Sequence, residues 1–189
     1  MTKIFVGLIL IFLDINLDVY MLHFDLLPDF IGFALLFLGM REQVARSKYF
    51  RAALAVDAVL FVGTLCEWIF LAMGLVESSS DAVTFFDTAE NLCMFYLTFC
   101  VVQTLVDSEK ESGYDFDAVR LQKTWRCWLA VSVAVMVAWL FIDIVIGNAI
   151  SVWSLWGLVG IALACVNFVV LILFLYRFYR SKEKYEYFF

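Results

Sequence analysis

Residues 12–33, "FLDINLDVYMLHFDLLPDFIGF", lie between two apolar runs and carry four aspartates, Asp14, Asp18, Asp25 and Asp29. The flanking runs are continuous and long enough for helices, whereas a transmembrane barrel would show ~10-residue alternating segments. The rest of the chain agrees. It is 65% hydrophobic and 17% charged, with 20 Phe and a single Pro, against roughly 45–50% apolar in an ordinary soluble domain. One water-soluble core is therefore excluded, and the expected fold is an all-α polytopic membrane helix bundle.

Apolar stretches and their breaks define six spans, about 4–22, 26–40, 52–76, 83–106, 126–147 and 150–176, arranged as three hairpins in one membrane domain, 1–189. Residues 177–189 form a basic and aromatic tail. The first span follows Lys3 and lacks a small-residue cleavage site, so it reads as a retained segment rather than a signal peptide.

The bases test this topology independently. All 13 lie at Lys3, at 41–51, at 110–126 or at 177–184. With six spans these regions share one side, which the positive-inside rule makes the cytoplasm. Both termini are then cytoplasmic, in a bacterial cell membrane. Trp68, Trp153 and Trp156 fall near the outer interface, and Trp125 and Trp128 near the inner one, as an aromatic belt. The tail "YRFYRSKEKYEYFF" suits anionic lipid headgroups or a protein partner.

Counting at 1.5 Å per residue from the cytoplasmic ends places Asp14 about 16 Å deep and Asp18 about 22 Å deep. Glu67, Glu90 and Asp143 come to about 24–25 Å, and Asn167 to about 15 Å. On a continuous helix Asp14, Asp18 and Asp25 would share one stripe. An ionised carboxylate facing lipid costs about 2.5–3.5 kcal/mol on insertion scales, so these groups are expected to face an outward-open acidic cavity. Fewer residues separate Lys3 from Arg41 than the roughly 40 that two full crossings need, which sets the HFDLLPDF turn below the outer surface. Asp29 beside Pro28 also suits an ordinary helix start. Gly32 and Gly39 allow close helix packing. Asp57, about 9 Å from Arg51, snorkels towards the cytoplasm. The candidate ligand-binding set is thus Asp14, Asp18, Asp25, Asp29, Glu67, Glu90, Asp143 and Asn167.

Other chemistry finds little purchase. His23 is the single histidine, HExxH is absent, and so are G-x-S-x-G and a P-loop. The five cysteines lack CxxC spacing and read as small buried hydrophobes, with neither disulfide nor zinc implied. "DSEKESGYDFDA" fails as a calcium loop because its Gly is seventh and its twelfth residue is Ala118. No metal and no cofactor are expected. A net charge of −6, with the bases beside the membrane, gives no support to nucleic-acid binding.

The stretch "DLLPDFIGFALLFLGM", Asp25–Met40, resembles an L-P-D-F-I-G-[YF] signature of uncharacterised small multi-pass membrane proteins of Gram-positive-type bacteria. That resemblance implies a bacterial inner-membrane protein and carries no catalytic role. In size, span number and termini the chain is also similar to substrate-binding subunits of energy-coupling-factor vitamin transporters. Their first helix has an A-x-x-x-A pattern, where this one has only Gly7 small. The expected function is binding or transport of a small solute or cation, since acids without outer bases favour a cation. A non-catalytic accessory, immunity or assembly protein acting through a partner is the alternative. An enzyme using the outer carboxylates as acid and base ranks third.

Overall fold

A computed structural model describes residues 1–13, 16–19, 22–25, 28–45, 47–73, 81–146 and 153–189, with backbone alone at 16–19, 22–25, 71–72, 81–85, 87, 139–146 and 153–158. The fold is helical: α1 (Thr2–Phe12), α2 (Asp29–Gln43), α3 (Lys48–Ala72), α4 (Asp81–Ser112), α5 (Ala118–Ile146) and α6 (Trp153–Phe188). One hairpin, β1 (Asn16–Val19) with β2 (Leu22–Asp25), separates α1 from α2. Among the described residues three helical stretches are long and apolar enough to cross a membrane: Lys48–Phe70, Thr88–Ser112 and Val159–Phe188.

The hairpin corrects the expected span 4–22. Helix α1 stops at Phe12, with Leu13 as its C-cap, because the apolar run meets Asp14 and Asn16, both poor helix formers. Beyond them polarity alternates with period two, Asn-Leu-Asp-Val and Leu-His-Phe-Asp, which is a strand signal. The antiparallel register pairs like with like: Asn16 with Asp25 and Asp18 with His23, Leu17 with Phe24 and Val19 with Leu22. Opposed residues share a face of a sheet, so one face of the hairpin is polar and the other apolar. Helix α2 then begins at Asp29, not at Pro28, whose carbonyl accepts the Ile31 N–H at 2.9 Å.

The chain forms two compact units, Met1–Phe116 with Lys182–Phe189, and Asp117–Ser181. In the first, α1 packs on α2, α2 on α3, and α3 on α4. Helices α1 and α2 meet backbone to backbone. A Cβ on Gly7 would lie 2.7 Å from the Gly32 carbonyl oxygen, and one on Gly39 would lie 2.9 Å from the Ile4 nitrogen. Ile4, Leu8, Phe33, Leu36 and Met40 are completely buried around this contact. Helices α3 and α4 are tied by a Ser47–Thr104 hydroxyl hydrogen bond of 2.7 Å, by the Tyr49–Phe99 edge contact, and by Gly63 against the Phe86 ring.

The end of α4 turns through Gly113, whose φ of +68° is the left-handed conformation that glycine adopts freely. Its N–H donates to the Glu109 carbonyl at 3.0 Å. The expected tail 177–189 is no loose end, because α6 runs unbroken to Phe188. Its last turns pack Tyr185 and Phe189 against Phe116, while the Tyr185 hydroxyl donates to Gln43 at 3.3 Å. Glu186 accepts from Thr2 at 2.7 Å and pairs with Lys182 at 3.4 Å.

In the second unit Trp128 stacks on Phe174 with ring centroids 5.4 Å apart, and Arg177 donates to the Thr124 hydroxyl and the Arg120 carbonyl. Both contacts align α5 and α6 antiparallel.

Candidate functional site

The hairpin redistributes the candidate acids. Asp18 and Asp25 lie on its polar face, at register positions beside His23 and Asn16. They are therefore not on one helical stripe with Asp14, which lies outside the described residues. Asp29 opens α2, where its charge meets the positive end of the helix dipole. At the same end of the first unit Phe30 meets Trp68 edge-on, with centroids 5.7 Å apart. Asp29 and Glu67, each the chain neighbour of one of those rings, are thereby brought to one end of the α2–α3 pair. Both are half-buried.

Glu90 stands apart from them. Gly63 faces Phe86 across the antiparallel α3–α4 pair. Glu67 lies one turn beyond Gly63 in one direction, and Glu90 one turn beyond Phe86 in the other. At 1.5 Å per residue the two glutamates are offset by about 12 Å along the helices. Asp143 and Asn167 belong to the second unit. The side-chain surroundings of Asp143 lie outside the described residues, and Asn167 accepts a 2.8 Å hydrogen bond from Ser132.

Sequence reasoning missed one acid. Asp57 does not snorkel: it is 0% exposed, and neither carboxylate oxygen has a hydrogen-bond partner. The cause is its position. Phe50, Ala53, Asp57, Leu60 and Thr64 are the buried residues among the described side chains of α3, and their alternating spacing of three and four is one continuous helix face. A four-atom side chain in the middle of that face has no route to water. The spacing was readable in the sequence, but a count of depth from Arg51 ignores direction around the helix.

The cysteines also differ from expectation. Only Cys100 is buried, while Cys66, Cys127 and Cys165 are exposed and Cys93 is half-buried. Cys66 and Cys165 are exposed on helical stretches long and apolar enough to cross a membrane, and Cys127 follows Arg126 on α5. Among the described residues no group of three or more His, Cys, Asp and Glu is placed to hold a metal ion. An open groove of about 520 Å³ lies beside the C-terminal aromatics, lined by Ala45, Ser108, Glu111, Ser112, Tyr185 and Phe188 among others.

No family model matches the chain, and neither does any curated protein or solved structure.

Proposed function

We propose that this chain is a multi-pass protein of a bacterial cytoplasmic membrane, with both termini inside, which binds or transports a small solute or cation at an acidic outer end. The observation that carries the reading is the gathering of polar groups at one end of the first unit. There the Phe30–Trp68 contact draws Asp29 and Glu67 together, next in the chain to a hairpin with Asn16, Asp18, His23 and Asp25 on one face. Acids at an end without Lys or Arg attract cations. The distribution of all 13 bases to the other side supports the orientation, and the L-P-D-F-I-G-F resemblance supports a bacterial membrane. The accessory-protein reading takes second place: the tail anchors itself through Tyr185 on Phe116 and Gln43, although Tyr187, Phe188 and Phe189 stay exposed for a partner.

Thermal unfolding of the purified protein against monovalent and divalent cations and a metabolite panel tests this. A ligand binding only the folded state stabilises by RT ln(1 + [L]/Kd), about 2.7 kcal/mol at roughly a hundredfold excess over Kd. The expected result is a ligand-specific rise that Asp18→Asn and Glu67→Gln abolish. A rise unchanged in both variants, or no rise with any ligand, rejects the acidic end as the site.

A further inference from the structure

We propose that Asp57 is a proton-binding site in the interior of the first unit, carried as the neutral carboxylic acid while α2, α3 and α4 stay packed. It stands independently of the acidic outer end. The residue is fully enclosed, and both oxygens lack a donor. The Ser47–Thr104 and Gly63–Phe86 contacts bracket it and fix its level on α4 as that of Cys93 and Met94, with Glu90 and Leu97 about one turn to either side. On its own helix the buried neighbours one turn away are Ala53 and Leu60. On α2 the buried side chains are Phe33, Leu36 and Met40.

An enclosed carboxylate is relieved by a fixed cation, a metal ion or a proton. Among the described residues no fixed cation is supplied. On α3, Arg51 is exposed and Lys48 lies over the Tyr49 ring, while Glu67 is another acid. On α2 the charged residues are Asp29 at its start and Arg41 and Glu42, both exposed, at its end. The charged residue of α1, Lys3, is paired with Glu42. Between Glu90 and Val106, α4 offers no base: its titratable groups are Glu90, another acid and half-buried, with Cys93, Tyr96 and Cys100. Lys182 of the C-terminal segment pairs with Glu186, which Thr2 holds.

A metal ion fares no better. A hard cation needs about six oxygen ligands, and among the described residues no group of three or more His, Cys, Asp and Glu gathers to supply them. The buried hydroxyls of Thr64 and Thr98 are turned to carbonyls of their own helices, Leu60 and Met94. The proton remains. It needs one oxygen, adds no volume, and converts the group into a neutral acid that the seam tolerates. Release then requires water at Asp57, so α3 must part from α2 or α4. Proton uptake and release are thereby coupled to closing and opening of this seam, which is what an intramembrane proton carrier needs.

Infrared spectroscopy of the full-length protein in lipid, in light and heavy water, reads the carboxyl state directly. The expected result at neutral pH is a protonated-carboxyl band in wild type that Asp57→Asn removes. Should that variant fail to fold, carboxyl ¹³C NMR of wild-type protein replaces it, with one aspartate, assigned through the Asp57 spin system, keeping the shift of a neutral acid across the neutral range. An unchanged band in Asp57→Asn, or an ionised Asp57 resonance, overturns the proposal. A neutral-acid signal that sodium but not potassium displaces also overturns it, in favour of a metal-ion site.

Discussion

Gly7 and Gly63 are both spaces that a neighbouring helix fills, but different atoms fill them. Around Gly7 the intruders are backbone, the Gly32 carbonyl oxygen at 2.7 Å and the Leu36 nitrogen at 2.9 Å from a notional Cβ. Around Gly63 the intruder is the Phe86 ring at 2.5 Å, which can swing aside. Gly7→Ala must push α1 off α2 and is expected to destabilise by about 1–3 kcal/mol, the usual cost of overpacking. Gly63→Ala is expected to cost less, since ring movement and the better helix propensity of Ala offset the clash. Chemical unfolding of both variants in the same detergent checks this, and equal losses would sink the distinction. Asp57 makes the complementary point about direction. Its depth along α3 was legible from Arg51, but the step of four residues to Ala53 and three to Leu60 is what turns it inward.

At the scale of elements, the hairpin and the end of α6 behave as their sequences dictate once the right period is applied. Residues 16–25 alternate polar and apolar, and the register keeps each kind opposite its own. Read with a helical period, the same aspartates form a stripe that does not exist. The end of α6 looks like a charged tail by composition, yet successive turns carry Tyr185 and Phe189 onto Phe116. Tyr185 is 2% exposed, so Tyr185→Ala should cost about 3–5 kcal/mol, as for other large buried rings. Hydrogen exchange should then quicken at 182–189 in the variant while the stacked part of α6 around Phe174 stays protected. Uniform loss of protection along α6 would show that its last turns are not held separately.

For the whole molecule, the decisive feature is how much large apolar surface remains outside. Val59, Val62 and Phe70 on α3, and Ile161, Phe168, Val169 and Ile172 on α6, are all exposed. Faces of that extent are covered by lipid or by another protein, since in water they would aggregate. The protein should therefore stay with membranes through high-salt and alkaline carbonate washes and leave them only in detergent. Recovery in the carbonate supernatant would contradict a membrane-embedded fold. The helices α1 and α2, of 11 and 15 residues, reach only about 16 and 22 Å, short of a hydrocarbon core of about 30 Å.

The sequence by itself determined the helical class, the approximate places of α2 to α6, and Gly32 and Gly39 as points of close helix packing. These follow from run length, composition and residue size, which are local properties. Tertiary structure alone decided which acids are neighbours and which is sealed. Neighbourhood depends on contacts between distant segments, such as Phe30 with Trp68 and Gly63 with Phe86. Burial depends on the angle at which a side chain leaves its helix. Asp57 is enclosed because α3 turns that face towards its packing partners, and no count along the chain contains that angle.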